Sequence, residues 1–231
     1  MITRFPPRRR AALVRGIVIR LAALAVVFAL MVFLPAGTVR YWPAWGYIAV
    51  LVVPMAFVVS HFLRHDPAFL ERRFHHREKE PTQKAVVAVT TVLFAAGFVV
   101  PGLDWRFGWS AVPAWAIVVA DALVLASYAF VFMVFLENSY ASRIVEVEKA
   151  QKVISTGPYA VVRHPMYAGV IVMYLATPVA LGSWWGVLPM LSLPVALVVR
   201  LRNEEKVLSR DLPGYPRYLR RIRWRLLPGV W

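Results

Sequence analysis

The segment RHPMYAGVIVMYLATPVALGSWWGVLPMLSLPVALVVRLRNEE, residues 163–205, places two apolar runs between two polar clusters. The runs cover residues 165–182 and 186–201, and only residues 182–185, a glycine, a serine and two tryptophans, lie at their junction. Glycine and serine favour a tight turn, and tryptophan is enriched at membrane interfaces. The segment therefore predicts a helical hairpin whose turn lies at one membrane face and whose polar ends meet at the other.

Four longer apolar runs precede the hairpin, over residues 14–34, 43–63, 85–103 and 112–136. Each is long enough to cross the roughly 30 Å hydrocarbon layer as an α-helix. Hydrophobic residues make up 60% of the chain, well above the usual share in a soluble domain. The sequence therefore predicts an all-α integral membrane protein with about six transmembrane helices, the last two forming the hairpin.

Basic residues are distributed unequally between the two sides of this predicted bundle. The chain carries 27 Lys and Arg against 12 Asp and Glu, and all the basic residues except Arg40 and Arg106 fall on the side that holds both termini. Because Lys and Arg accumulate in cytoplasmic loops, both termini are predicted to be cytoplasmic. We expect a multi-pass protein of a bacterial inner membrane, with its active site facing the cytoplasm. The net charge of +15 then favours the lipid bilayer as partner, and no nucleic acid is expected.

The composition also disfavours several kinds of site. The sequence has no cysteine, which excludes disulfides, thiolate nucleophiles and cysteine-ligated metal sites. Residues 64–84 form a charged segment that we expect to be an inner loop. Its adjacent His75 and His76 are expected to be surface residues rather than ligands, and no metal is predicted.

Polar residues cluster after residue 136, which divides the chain into two parts. Residues 1–136 are predicted to form a bundle of four transmembrane helices. Residues 137–231 are predicted to form a cofactor-binding catalytic region with the helical hairpin and a basic C-terminal tail. Aromatic side chains alternate with arginines in that tail, and we expect them to pack on the headgroup surface. They are Tyr215, Tyr218, Trp224 and Trp231.

The fourth apolar run contains an aspartate, Asp121. A carboxylate is costly in hydrocarbon, so we expect it to face the interior of the bundle. Two roles are open for it: pairing with a buried hydroxyl such as that of Ser127, or lining a tunnel for a substrate.

The polar cluster before the hairpin combines a turn with a helix start. Gly157 and Pro158 have turn chemistry, because glycine adopts positive φ without strain and proline presets its own φ. Pro165 suits the first position of a helix, with His164 in the capping position. The free N–H groups of that turn, with Arg163 beside them, predict an anion site. A simple helix cap with a lipid-binding arginine is the alternative.

The polar cluster after the hairpin covers residues 200–205, RLRNEE. Arg200 and Glu204 lie four residues apart, so they share a helical face near Asn203, whereas Glu205 points about 100° away. Because the hairpin returns to its starting face, this cluster should lie beside residues 163–167. A pocket with a carboxylate, an arginine and tyrosine faces suits a ligand that carries a carboxylate, an ammonium and a second soft cation. S-adenosylmethionine has these groups, and a phospholipid headgroup is the alternative.

Three stretches of the second part carry a family resemblance: QKVISTGPYAVVRHPMYAG, NEEKVL and LPGYPRYLRRIRWRLLPG. They resemble the isoprenylcysteine carboxyl methyltransferase family with its bacterial relatives, and more distantly the phospholipid methyltransferases. The resemblance covers roughly residues 137–231. It implies an integral-membrane methyltransferase that uses S-adenosylmethionine without a Rossmann domain, and a C-terminal tail that helps to close the cofactor pocket.

The resemblance and the residue chemistry together indicate a site. Arg200 and Asn203 are expected on the substrate side, and Arg200, Glu204 and Glu205 are the candidate catalytic residues. The expected cofactor-binding residues are Gln151, Lys152, Val153, Ile154, Gly157, Tyr159, Arg163, His164, Pro165, Met166, Tyr167 and Glu204.

Methyl transfer from a sulfonium is an in-line displacement that leaves S-adenosylhomocysteine and needs no covalent enzyme intermediate. A carboxylate acceptor, such as that of a prenylated cysteine-like compound, needs no base and could be oriented by Arg200. A phospholipid amine or a thiol benefits from a base, for which Glu205 and His164 are candidates. The acceptor is expected to be lipophilic or small, with no obligate protein partner. An NADPH-dependent membrane reductase and a non-catalytic membrane protein are the alternatives of another class.

Overall fold

The computed structural model describes residues 6–73, 81–138, 140 and 151–231. Within these ranges the protein is helical and contains no β-strand, which confirms the all-α prediction. The α-helices of the described residues are α1 (Pro7–Ala36), α2 (Trp42–His65), α3 (Pro67–Arg73), α4 (Pro81–Phe107), α5 (Ala114–Glu137), α6 (Pro165–Ala180), α7 (Val187–Leu191), α8 (Leu193–Asp211) and α9 (Tyr215–Arg221).

Helices α1, α2, α4 and α5 are long and apolar enough to cross a membrane. They coincide with the four long apolar runs of the sequence, and three of them extend beyond the run at both ends. Large apolar side chains on their outer surfaces are exposed, among them Leu24, Val53, Val92 and Val118. Apolar surface of this extent is stable against lipid and costly in water, so the chain has the character of a multi-pass membrane protein. Six crossings and cytoplasmic termini remain predictions.

A short helix lies within residues 64–84, for which the charge pattern predicts a loop. Helix α3 occupies Pro67–Arg73 and follows α2 after a single residue, Asp66. The Asp66 carboxylate accepts a hydrogen bond from the Phe69 N–H group at 3.0 Å. The Phe69 ring is buried and stacks on Phe62 of α2, with ring centroids 4.2 Å apart. The loop prediction is therefore wrong for residues 67–73, because their apolar side chains complete a core cluster with α2.

The predicted hairpin is present, and its two arms are α6 and α8. The turn between them uses Gly182 at a φ of +72°, which favours glycine. The second arm is divided, since α7 ends at Leu191 and α8 begins at Leu193. Pro194, in the first turn of α8, has no N–H group with which to continue a helix from α7. The second apolar run is thus interrupted near its middle rather than forming one helix.

A buried carboxylate ties the hairpin turn to α4. Asp104 is 1% exposed and accepts hydrogen bonds from the N–H and hydroxyl groups of Ser110 and from the hydroxyl of Ser183. The Ser183 oxygen in turn accepts the Gly186 N–H at 3.0 Å. Because these donors come from separate segments, the network holds the hairpin turn at the end of the bundle opposite the polar clusters.

Close approach of neighbouring helices depends on glycine at two contacts. A Cβ atom on Gly102 of α4 would lie 2.6 Å from the carbonyl oxygen of Val32 on α1. A Cβ atom on Gly169 of α6 would lie 2.9 Å from Val131 Cγ2 on α5. Small residues allow such close backbone packing between membrane helices. The second contact holds α6 against α5 and thereby positions the start of α6.

Asp121 lies toward the Ala114 end of α5, away from the polar clusters. It precedes Glu137, the last residue of α5, by sixteen positions, or about 24 Å along the helix axis. Its Oδ1 atom is buried and has no hydrogen-bond partner among the described residues, and its Oδ2 atom faces Gly46. The expected pairing with Ser127 is thus not observed. Its role in lining a substrate tunnel stays a prediction.

Replacement of Gly102 by alanine tests the contact between α1 and α4. We expect Gly102→Ala to destabilise the protein by about 1–3 kcal/mol, because overpacking forces two backbones apart. The measurement is thermal unfolding in detergent, followed by tryptophan fluorescence. Gly16→Ala is the matched control, since a Cβ atom there meets nothing within 4 Å. Equal melting temperatures for both variants would contradict the close contact.

Candidate functional site

One side of the candidate site begins with the turn GPY. Residues Gly157–Ala160 form a short 3₁₀ turn in which Gly157 has a φ of +53°. A residue with a side chain would be strained there, so the glycine is required by the backbone. The Tyr159 hydroxyl accepts a hydrogen bond from Asn138 Nδ2 at 2.9 Å. Because Asn138 directly follows α5, this bond attaches the turn to the bundle.

Helix α6 begins at Pro165 with His164 in the capping position, as the sequence predicts. The imidazole makes no capping hydrogen bond, however. It is 5% exposed, and its Nε2 atom lies 3.3 Å from Glu205 Oε1 on α8. The histidine therefore connects the two arms of the hairpin.

The two polar clusters meet through the hydroxyl group of Tyr167. This hydroxyl donates a hydrogen bond to Glu204 Oε2 at 2.6 Å and accepts one from Arg200 Nε at 3.1 Å. The tyrosine is 6% exposed, which keeps bulk water from these bonds. The predicted proximity of the two clusters is confirmed, and a neutral phenol mediates it.

Glu205 interacts with two arginines and a histidine. Its Oε1 atom lies 3.1 Å from Arg163 Nη1 and 3.3 Å from His164 Nε2, and its Oε2 atom lies 3.0 Å from Arg225 Nε. Burial alone would raise the pKa of the Glu205 carboxyl, but hydrogen bonds from His164, Arg225 and Arg163 outweigh it and lower the pKa to about 2. The carboxylate is therefore ionised and is a weak base. The geometry does not favour the expected catalytic role of Glu205 and favours a positioning role instead.

Arg163 holds the C-terminal tail rather than an anion at the start of α6. Its guanidinium donates to the carbonyl oxygens of Ile222 at 2.6 Å and Leu219 at 2.7 Å. Its backbone N–H donates to the carbonyl of Trp224 at 2.9 Å. The neighbouring His164 N–H donates to the carbonyl of Arg225, also at 2.9 Å. The tail is thus bonded directly to the backbone that precedes α6.

A partly enclosed cleft lies between these elements, and we call it the site cleft. Most of the expected site residues line it: Gln151, Lys152, Val153, Ile154, Tyr159, Arg163, His164, Met166, Tyr167, Arg200 and Glu204. Four expected residues do not line it, namely Gly157, Pro165, Asn203 and Glu205. Gly157 and Pro165 act through the backbone, and Glu205 binds the cations around it. Asn203 has a buried Nδ2 atom without a partner among the described residues, and its predicted substrate role is not supported by this position.

Six residues that were not predicted as site residues also line the site cleft: Asn138, Tyr140, Leu208, Leu212, Tyr215 and Tyr218. Leu208 continues the four-residue spacing of Arg200 and Glu204 along α8, and that spacing was a usable signal for it, whereas Leu212 follows the end of the helix. Tyr215 and Tyr218 are each 5% exposed, so the expected packing on the headgroup surface is wrong for these two. They pack with Leu212 and Ile222 and close the cleft, as the family resemblance implies.

A stretch that runs from α5 through the hairpin matches a known family model. Residues 115–212 match the family model described as phospholipid methyltransferase. The match confirms the predicted resemblance at the level of this group of membrane methyltransferases. A search of curated proteins gives no match. The matched segment runs from α5 to Leu212, the first residue after α8, and it therefore includes Tyr167, Arg200 and Glu204.

The donor set of the site cleft suits S-adenosylmethionine, a cofactor that methyltransferases generally use. The Glu204 carboxylate can bind an ammonium group, and Lys152 can bind a carboxylate. Aromatic faces of Tyr159, Tyr215 and Tyr218 suit a sulfonium and an adenine ring. Burial raises the pKa of Tyr159 to about 12, and the charge of Glu204 acts in the same direction. This tyrosine therefore stays protonated and neutral at physiological pH.

Metal ligands are not grouped in the described part of the chain. No set of three or more His, Cys, Asp or Glu side chains there is arranged to hold a metal ion. His75 and His76 lie outside the described residues, so their expected surface position stays a prediction.

Replacing Glu205 by glutamine tests its positioning role. We expect Glu205→Gln to destabilise the protein by about 3 kcal/mol at pH 7, because Arg163 and Arg225 lose their shared carboxylate. The pKa of about 2 lies below the ordinary 4.5, so this stabilisation is complete above about pH 4.5 and is lost as pH falls toward 2. The melting temperature of the variant should therefore fall less than that of the parent between pH 5 and pH 3.

The control for that measurement is Glu71→Gln, which removes a carboxylate from an exposed ion pair with Arg9. Exposed ion pairs contribute little, so this variant should keep the parent's stability and pH profile. Parallel melting curves of the parent and Glu205→Gln from pH 5 to pH 3 would refute the role of Glu205.

Proposed function

We propose that this protein is an S-adenosylmethionine-dependent methyltransferase that acts on a lipophilic or small acceptor at the cytoplasmic face of a bacterial inner membrane. The observation that carries the proposal is the Tyr167 hydroxyl, which joins Glu204 to Arg200 in the site cleft. The family match over residues 115–212 supports methyl transfer as the reaction class. The excess of basic residues on one predicted face supports a cytoplasmic site.

The cofactor supplies a sulfonium methyl group: the bond from sulfur to methyl breaks, a bond from methyl to the acceptor forms, and S-adenosylhomocysteine leaves. The protein's task is to hold donor and acceptor aligned and dry. Glu204 is suited to the ammonium end of the donor, and its hydrogen bond from Tyr167 fixes the carboxylate. Arg200 is suited to an acidic group of the acceptor, since its Nε atom is already oriented by the same hydroxyl.

The side chains around the site cleft favour an acceptor that needs no base. His164 and Glu205, the two candidate bases, face each other at 3.3 Å, and Glu205 is held by two arginines as well. Neither group is poised to remove a proton from an amine or a thiol. A carboxylate attacks as the anion and needs no deprotonation, which favours esterification of a carboxylate like that of a prenylated cysteine.

Methylation of a phospholipid amine is the second candidate function. The family description favours it directly, because residues 115–212 match phospholipid methyltransferases. An amine acceptor must lose a proton during the reaction, and the Tyr167–Glu204 pair is an acid–base couple in the site cleft. The two candidates therefore differ in their expected dependence on pH and on Tyr167.

Cofactor binding is the first test. Titration calorimetry of the detergent-solubilised protein with S-adenosylmethionine and S-adenosylhomocysteine should show binding of both. Glu204→Gln should weaken binding of both ligands by about 10- to 100-fold, because it removes a hydrogen bond to a charged group. Glu71→Gln is the control for charge and should bind both ligands as the parent does. Binding of NADPH in place of both ligands would favour the reductase, and no binding by a folded protein would end the methyltransferase proposal.

Acceptor preference is the second test. Transfer of a labelled methyl group is measured with N-acetyl-farnesylcysteine, phosphatidylethanolamine and an alkyl thiol as acceptors, in the parent and in Tyr167→Phe. A carboxylate acceptor should give a rate that varies little between pH 6 and pH 8, whereas an amine should react faster at higher pH. The esterification candidate is rejected if phosphatidylethanolamine alone is methylated.

A further inference from the structure

A second cleft lies on the opposite side of α8 from the site cleft. Arg200, Glu204 and Leu208 face the site cleft, at four-residue spacing. Arg202, Lys206 and Arg210 lie two positions after Arg200, Glu204 and Leu208, respectively. Each is therefore rotated by about 200° around the helix axis from the residue that it follows. With Arg225 of the tail, these three side chains line the second cleft, which we call the basic cleft.

The basic cleft continues an exposed apolar stripe of α8. Val195 and Val199 are 66% and 45% exposed, and on a helix they lie on the same face as Arg202 and Lys206. The stripe therefore changes from valine to cations within one turn. Along the helix axis, Arg202 lies about 4.5 Å beyond Val199, and Lys206 lies about 10.5 Å beyond it. If the valines face acyl chains, the two cations stand at the depth of the headgroup phosphates.

The tail beside the basic cleft has the surface of an interfacial segment. Trp224, Leu227 and Val230 are 39%, 57% and 73% exposed, and Trp224 lies between Arg223 and Arg225. Trp231 packs its indole ring between two guanidinium groups, with ring centroids 5.7 Å from Arg202 Cζ and 5.0 Å from Arg225 Cζ. Exposed aromatic and aliphatic side chains mixed with cations are typical of segments that lie in a membrane interface.

From these positions we infer that the basic cleft binds the phosphate of an anionic lipid headgroup in the inner leaflet. Arg202 and Lys206 supply the charge, and both side chains are exposed. The cleft also contains Glu205, whose charge is offset by Arg163 and Arg225. The lipid bilayer is the partner because the apolar stripe and the tail place the cations at its surface.

Arg225 connects the basic cleft to the site cleft. Its side chain binds Glu205, and its carbonyl accepts the His164 N–H bond. A headgroup held in the basic cleft therefore restrains the tail that closes the cofactor side of the protein. The inference that a headgroup binds does not depend on the proposed methyl transfer. The expected effect of headgroup binding on cofactor affinity does rest on that function.

The test measures lipid retention by the full-length protein. Delipidated protein is titrated with phosphatidylglycerol and with phosphatidylcholine, and bound lipid is counted by native mass spectrometry. The parent should retain phosphatidylglycerol preferentially. The double variant Arg202→Gln/Lys206→Gln should bind it about tenfold more weakly or worse, since each cation near an anionic surface contributes on the order of a few-fold. The control Arg217→Gln/Arg220→Gln removes equal charge from exposed positions of α9 and should bind as the parent does.

Each other outcome overturns the inference. Equal retention of both lipids by the parent means that no anionic headgroup site exists. An equal loss in the α9 control means that the attraction is diffuse and not located in the basic cleft. Inorganic phosphate that displaces the lipid at equal concentration means that the cleft holds a free anion. Matched melting temperatures of the two double variants ensure that a loss is not caused by unfolding.

A second measurement separates this inference from the proposed function. S-adenosylmethionine affinity is compared in nanodiscs of phosphatidylcholine alone and of phosphatidylcholine with phosphatidylglycerol. Tighter binding in the anionic discs, absent in Arg202→Gln/Lys206→Gln, supports the coupling through Arg225, and equal affinity in both discs rejects it. No cofactor binding in either disc rejects the methyltransferase proposal, and the lipid-retention result is still decided by its own controls.

Discussion

The site depends on the ion-pair cluster around one carboxylate, that of Glu205. Its partners come from the segment before α6, which supplies Arg163 and His164, and from the tail, which supplies Arg225. A carboxylate that is removed from water is expensive unless its oxygens are bonded, and here both oxygens have cationic donors. Three segments far apart in the chain are thereby joined at one point, and the site cleft forms around that point.

Two adjacent glutamates, Glu204 and Glu205, therefore have different roles. Glu204 faces the site cleft, and its carboxylate accepts a hydrogen bond from the neutral Tyr167 hydroxyl. Its charge is therefore available to a ligand. Glu205 lies about 100° from Glu204 around the helix axis, and its carboxylate forms ion pairs with Arg163 and Arg225. One helix turn therefore provides both a binding group and the support that orients it. Catalysis by positioning requires this kind of preorganisation.

Much of the fold follows from patterns that are local in the sequence. The four long helices, the start of α6 at Pro165 and the glycine turn at Gly182 are set by apolar length, by proline and by glycine. The meeting of the two polar clusters follows as well, because a hairpin returns its ends to one face. Helix α3 was not predictable from its charges, since its stability comes from Phe69, which packs on Phe62 of α2 and on Phe135 of α5.

The parts of the site that resisted prediction are those fixed by long-range contacts. Whether Arg163 faces a ligand or the tail depends on the carbonyls of Leu219 and Ile222, more than fifty residues away. The arginine-rich sequence around Tyr215 and Tyr218 is typical of a surface segment. Their burial arises because the tail folds back on α8. Periodicity shows which face of a helix a residue occupies, and it does not show what a later segment will place there.

The tail contacts have a consequence for the order in which the protein matures. Ribosomes make the hairpin before residues 219–225, so the α6 and α8 arms are available to insert while Arg163 has no carbonyl partner from the tail and Glu205 has no Arg225. Up to that stage the pocket has no closing wall, because Tyr215 and Tyr218 are also still to come. The site cleft is therefore completed only after the hairpin has been made, when the tail folds back on α8.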